Sequence, residues 1–178
     1  MNHLYLCCLL GLVAGMVIPA VAQSPKESLL AHTHAAFRFT VAGSYAEVFP
    51  LFGAYEERKW AKGFDPQFLY PVPAHDQQGM VFTTVQDSLN RIWTNTCFDA
   101  ATGHVQYVYW IADAMTAFID IHVTSSGPRA TQVEVVYERT ALTLEANERV
   151  LEMARHDANS GSHWAEMINN FLRRESKN

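Results

Sequence analysis

Residues 104–140 read HVQYVYWIADAMTAFIDIHVTSSGPRATQVEVVYERT, a series of alternating apolar and polar residues parted by short turn-forming sequences. Alternation with a period of two predicts strands over His104–Ile111, Ala117–Thr124 and Thr131–Thr140. Ser125-Ser126-Gly127-Pro128 marks the last turn. Connections this short join antiparallel neighbours, because a parallel pair needs a crossover of about a dozen residues or more. The stretch is therefore an antiparallel meander.

The meander extends upstream. Met80–Val85 and Arg91–Phe98 alternate in the same way, and Asp87-Ser88-Leu89-Asn90 and Ala100-Ala101-Thr102-Gly103 provide the turns. Before them, residues 64–79 hold Pro66, Pro71, Pro73 and Gly79 among Phe64, Phe68, Leu69 and Tyr70, which predicts an aromatic loop. Earlier still, Ala35–Val41 is a half-buried strand with Phe37, Phe39 and Val41 on one face. Ser44-Tyr45-Ala46-Glu47 has the form of a capping box that opens a short helix to about Phe52. A second short helix is predicted over Ala54–Ala61, stopped by Lys62 and Gly63.

Downstream of the meander the period becomes helical. Thr143 is the expected N-cap, with Glu145 and Glu148 near the positive end of the helix dipole. Val150, Met153 and Ala154 form one apolar stripe, and Trp164, Ile168, Phe171 and Leu172 another. Asn159-Ser160-Gly161-Ser162 lies between them and predicts a bend, recapped by Ser160 or Ser162, in a helix that ends near Arg174. The fold class is α+β: one strand, two short helices, a curved antiparallel sheet and a long C-terminal helix that the sheet wraps.

With this order in place, four segments carry a resemblance: Phe39–Leu51 (FTVAGSYAEVFPL), Glu56–Trp60 (EERKW), Val133–Leu142 (VEVVYERTAL) and Trp164–Leu172 (WAEMINNFL). The chain resembles the START-like superfamily, also called SRPBCC, the polyketide cyclase/dehydrase and lipid-transport group of helix-grip proteins. The resemblance implies a cavity between sheet and terminal helix. Its members include lipid carriers, binders of hormones and secondary metabolites, and cyclases, so it implies no particular catalytic residue.

The first 22 residues stand apart from this domain. Leu4–Ile18 is apolar without a single Lys, Arg, Asp or Glu, and Ala20-Val21-Ala22 supplies small residues for cleavage before Gln23. Residues 1–22 are thus expected to be a secretory signal peptide and 23–178 the helix-grip domain, exported to a periplasmic or extracellular location with no stable membrane anchor after cleavage. Cys7 and Cys8 would leave with the signal, and Cys97 alone cannot make an internal disulfide. The domain must be held by its apolar core. At 49% hydrophobic and 17% charged residues the chain has the composition of a globular protein. Its formal net charge of −5, from 13 Lys and Arg against 18 Asp and Glu, comes without a basic stripe. Nucleic acid is therefore not an expected partner.

Strand alternation then proposes what faces the cavity. The phase rich in apolar residues carries Phe37, Phe39, Ile92, Thr94, Thr96, Tyr107, Tyr109, Ile119, Ile121, Val133, Val135 and Tyr137. The opposite phase sends Arg38, Arg91, Asn95, His104, Asp120, His122, Glu134 and Glu138 to solvent. The expected ligand site is Thr94, Thr96, Tyr107, Tyr109 and Tyr137 on the strands, Trp60 and Phe64 at a portal, and Trp164 on the closing helix. Such a cavity suits a small hydrophobic molecule, lipid-like or aromatic, with hydroxyls to orient it.

A cyclase, dehydrase or hydrolase working in the same cavity is the alternative, and it requires Asp120, His122, Glu134 or Glu138 to face inward, because acid–base chemistry needs a titratable group at the substrate. On the assigned phase these four instead form cross-strand charge pairs on a solvated face. His32 and His34 lack further ligands, His156 and His163 flank the helix break, and Cys97 shares its phase with Arg91 and Trp93. No catalytic residue, metal ion or cofactor is expected from these features.

Overall fold

The computed structural model describes residues 29–177 except Asp87; the expected signal peptide lies outside the described residues. Seven strands form one antiparallel sheet: β1 (His32–Val41), β2 (Gln67–Tyr70), β3 (Val81–Gln86), β4 (Leu89–Asp99), β5 (His104–Ile111), β6 (Met115–Gly127) and β7 (Ala130–Ala141). They lie in the order β1-β7-β6-β5-β4-β3-β2. Consecutive strands are neighbours except where β1 pairs with β7, so the first and last strands meet, in register from His32↔Thr140 to Val41↔Thr131. That pairing puts the chain leaving β7 beside the segment leaving β1, and helices from both ends cover one face of the sheet.

Those helices are α1 (Tyr45–Val48), a 3-10 turn over Phe49–Phe52, α2 (Ala54–Glu57), α3 (Asn147–Asp157) and α4 (Gly161–Glu175). The Glu47 carboxylate reaches back to accept from the Ser44 amide at 2.8 Å and the Ser44 hydroxyl at 2.7 Å, as the capping sequence predicts. The terminal helix is two helices. The break falls at 158–160, and the following Gly161 is buried where an added Cβ would sit 3.1 Å from the Arg38 carbonyl oxygen. A glycine here lets α4 settle close on β1. Ser160 holds the N-cap position, yet its hydroxyl donates to the His156 carbonyl rather than capping α4. The N-cap of α3 is Ala146, three residues after the expected Thr143, because the intervening residues form a turn closed by Ala146 N–H on Thr143 O.

Alternation is clean on four strands. Ala35, Phe37, Phe39 and Val41 of β1, Val105, Tyr107, Tyr109 and Ile111 of β5, Met115 through Val123 in alternation on β6, and Val133 and Val135 of β7 are buried on the helix side. On β4 the expected phase is reversed. Arg91, Trp93 and Asn95 face the helices, while Ile92, 46% exposed, lies outside beside Trp110. The register decides this: Trp93 sits opposite Phe82 and Tyr109, and its ring stacks on Phe82 at 5.5 Å and 9° and approaches Tyr109 at 4.5 Å. Burying an indole among aromatic rings outweighs burying one Ile. A bulge between Asn95 and Cys97 then shifts the phase, so Phe98 returns to the core against Phe49.

The aromatic loop also contains more order than its prolines suggest. Gln67–Tyr70 pairs with β3 as the edge strand β2, and Phe68 packs on Phe82 and Tyr55. Beyond it, Asp76 anchors α2: its carboxylate accepts from the amides of Tyr55 (2.7 Å) and Glu56 (3.1 Å) at the start of that helix. A Cβ on Gly53 would lie 2.1 Å from the Asp76 Cγ. Gly53→Ala must therefore displace the carboxylate from both amides. It is expected to cost about 1–3 kcal/mol, read as a lower urea midpoint at unchanged slope.

Candidate functional site

Between the sheet and the helices lie two spaces that share part of their lining. The inner one is small, about 40 Å³, and is lined by Phe64, Phe82, Trp93, Tyr107, Ile119, Ile121, Tyr137 and Trp164 with one carboxyl group, that of Glu57. The outer one is a vestibule of about 550 Å³ where α3 and the start of α4 cross the ends of β4, β5 and β7. Trp93, Tyr137 and Trp164 belong to both walls. These three rings are the collar between the spaces.

Sequence order explains the collar. Tyr137 and Tyr109 alternate inward on β7 and β5, Trp93 does so on β4, and Trp164 enters from the first turn of α4. Trp164 meets Phe37 edge-on at 5.5 Å and Trp60 at 5.6 Å. Trp60 itself is only 5% exposed, and its indole N–H donates to the Leu51 carbonyl at 2.7 Å. It supports Trp164 from behind and lines neither space. Phe64 does reach the inner space, and together with Trp60 it also lines a separate external groove bounded by Arg58, Lys59, Lys62, His163 and Arg174.

Of the eight residues expected at the site, Tyr107, Tyr137, Phe64 and Trp164 line the inner space, and Tyr109 lines the vestibule. Trp60 stands one layer back. Thr94 and Thr96 lie on the other side of the sheet: Thr94 pairs with Val81 and Val108 on the outer phase, and the Thr96 hydroxyl donates to Gln106 Oε1 at 2.8 Å. The phase of β4 that displaces them brings in Arg91 and Trp93 instead. Asp120, His122, Glu134 and Glu138 point outward as alternation predicts, with Arg38 paired to Glu134 at 2.6 Å.

Charge nevertheless reaches the interior, by routes that strand alternation does not cover. Arg139, 3% exposed on β7, is ion-paired with Asp157 at the last turn of α3, and its Nε donates to the Tyr109 hydroxyl at 2.9 Å. Its guanidinium lies 4.3 Å from the Tyr137 ring centre. Burial works against the charge of Arg139, but Tyr109 and Asp157 outweigh it and raise its pKa. Burial likewise pushes Asp157 up, with Arg139 pulling in the opposite direction. The vestibule floor is thus a fixed cation with its partner carboxylate, roofed by aromatic rings.

Glu57 is the residue that sequence reasoning left out. It is the last residue of α2, whose first amides Asp76 holds, and it lines the inner space among rings. Burial in that surrounding, reinforced by the nearby Asp76 carboxylate, pushes its pKa up to about 8. Below that pH Glu57 is a neutral acid that can donate a hydrogen bond. Burial also raises Tyr107, whose hydroxyl donates to the Phe52 carbonyl at 3.0 Å, and Tyr137. Neither tyrosine ionises near neutral pH.

Comparison with solved structures places this arrangement in a known fold. Norcoclaurine synthase from Thalictrum flavum, solved in complex with dopamine and hydroxybenzaldehyde, superposes with a TM-score of 0.59 at 10% identity, over 93% of this chain and 96% of that one. A hypothetical protein from Helicobacter pylori gives 0.63 at 7% identity over 78% and 87%. Ara h 8.0201 gives 0.53 at 12% identity over 80% and 99%. The likeness is one of fold: the chain has the helix-grip fold, a curved antiparallel sheet against C-terminal helices. No family model and no curated protein matches the sequence.

Proposed function

We propose that this is an exported binding protein that encloses one small, largely apolar ligand, aromatic or lipid-like, between sheet and terminal helices. The observation that carries the reading is the aromatic collar of Trp93, Tyr137 and Trp164 between a small inner space and a vestibule of about 550 Å³. That volume is in the range of small-molecule sites, roughly 300–1,000 Å³. The apolar body of the ligand lies against the three rings, and a polar end meets the Arg139–Asp157 pair. Norcoclaurine synthase, which shares the fold, was solved in complex with dopamine and hydroxybenzaldehyde, two small aromatic molecules, and this supports the reading by analogy of fold. Export rests on the leader read from residues 1–22, and N-terminal sequencing of the protein recovered outside the cytoplasm is expected to begin at Gln23.

Two tryptophans in the collar make the binding reading easy to test. Titration with an aromatic anion such as 1-anilinonaphthalene-8-sulfonate is expected to quench tryptophan emission and saturate at one probe per chain. Emission that stays constant while the probe binds would place the probe elsewhere and count against the site.

One observation favours a second reading, an enzyme of the cyclase, dehydrase or hydrolase kind. Glu57 is a carboxyl held neutral to about pH 8 inside the aromatic space, a poise suited to a general acid. Its mark would be loss of turnover in Glu57→Gln with ligand affinity kept. A binder that uses Glu57 only as a hydrogen-bond donor keeps its affinity in the same variant and has no turnover to lose.

A further inference from the structure

The outer face of the sheet, on the side away from the collar, carries a second constellation that the binding function leaves unused. His104 of β5 and His122 of β6 are directly opposed, and their rings stack 4.7 Å apart at 10°. Both turn Nε2 toward one carboxylate: Asp120 accepts from His104 at 2.6 Å on Oδ1 and from His122 at 3.2 Å on Oδ2. One ligand atom from each of the three lies within 4.8 Å of those from the other two. Two imidazoles and a carboxylate on one side, facing solvent on the other, form a donor set with open positions.

The carboxylate is also positioned from behind. Gln106 Nε2 donates to Asp120 Oδ1 at 3.1 Å, and Gln106 in turn accepts from the Thr96 hydroxyl at 2.8 Å. His104 and Gln106 on β5 and Asp120 and His122 on β6 sit at regular, paired strand positions, and Thr96 sits in the β4 bulge. Such a chain of hydrogen bonds behind a ligating carboxylate is the kind of outer shell that fixes a metal site.

We propose that His104, Asp120 and His122 bind a divalent transition-metal ion of the Zn2+ class on the outer face of the sheet. The ion enters between the carboxylate and the two Nε2 atoms, which close on it by small side-chain rotations to metal–ligand distances of about 2.0–2.2 Å. Water completes the coordination.

Calorimetric titration of the full chain with ZnCl2 at pH 7.5 tests this, in a His32→Ala/His34→Ala background that removes the pair near the start of β1. One ion per chain is expected, lost or weakened at least about tenfold in His122→Gln, and weakened by about tenfold or more in Gln106→Leu. His122 is half exposed, so its substitution leaves folding intact, and circular dichroism and the melting temperature of each metal-free variant check that. No saturable binding by the background protein overturns the proposal. Binding of one ion with the same affinity in His122→Gln or His104→Gln overturns it equally.

Discussion

Glu57→Gln is expected to be markedly more stable than the unsubstituted protein at pH 8 and nearly equal to it at pH 5. The pKa of Glu57 rises from an ordinary 4.5 to about 8 in the folded chain. Between those values the folded state holds a proton that the unfolded state has released, so stability falls as pH rises. Below pH 4.5 both states are protonated and nothing is lost; above pH 8 the loss is complete. Each pH unit across the window is worth about 1.4 kcal/mol at most, and relaxation and water entry reduce the total to a few kcal/mol.

A glutamine keeps the shape and never ionises, so the variant has no such slope. Asp76 and Asp157, also raised by burial, tilt both curves in the same sense and largely cancel in the difference. Urea unfolding at pH 5, 6.5 and 8 gives the comparison. Parallel curves for the two proteins would mean that Glu57 is ionised in the folded state and that the inner space is not the apolar surrounding described.

Trp164→Ala is expected to lose both binding and stability. The indole touches Phe37, Phe39 and Trp60 and forms part of the wall of both spaces. Removing it opens the collar, and truncation of a packed aromatic costs about 3–5 kcal/mol at a buried site, toward the lower end here because Trp164 is only partly buried. Affinity for an aromatic probe should fall at least about tenfold, the worth of roughly 1.4 kcal/mol of contact. Trp164→Phe, which restores a ring, should recover most of both. Arg174→Ala, in the external basic groove, should change neither. Retained affinity in Trp164→Ala together with loss in Arg174→Ala would move the ligand to that groove.

The parts of this fold that could be read from the chain are those where one physical rule acts alone. Alternation placed the inner faces of β1, β5, β6 and β7, since each offers mostly apolar residues on one phase and more polar ones on the other. It failed on β4 because Arg91-Ile92-Trp93 puts bulk on both phases, and only the partners Phe82 and Tyr109 across the strand pairs decide between them. The bulge after Asn95 then breaks the count itself, and Thr96 joins the outer face. β2 was hidden because its four residues, Gln67–Tyr70, carry no alternation that a short window can distinguish from an aromatic loop.

The site divides along the same line. Tyr107, Tyr109 and Tyr137 were legible because strand phase alone aims them inward. Arg139 falls on the buried phase of β7, two residues beyond Tyr137, but a cation on that phase is credible only once Asp157 is known to meet it from α3. Glu57 was not legible at all: its place depends on Asp76, nineteen positions later, holding the first turn of a four-residue helix. Charges that enter a cavity from a helix end leave no periodic trace. They are found by asking which carboxyls lack an aqueous surrounding, and that is a property of the folded chain.

The central claim, one small apolar molecule enclosed by the collar, is tested most directly by native mass spectrometry of the protein recovered from its own host, alongside Trp164→Phe and Trp164→Ala. The expected spectrum shows a single added mass on the unsubstituted protein and on Trp164→Phe, released on denaturation as an aromatic or lipid-like molecule, and absent from folded Trp164→Ala. An unsubstituted protein that carries no added mass and takes up no aromatic probe, or an added mass that Trp164→Ala retains in full, would contradict it.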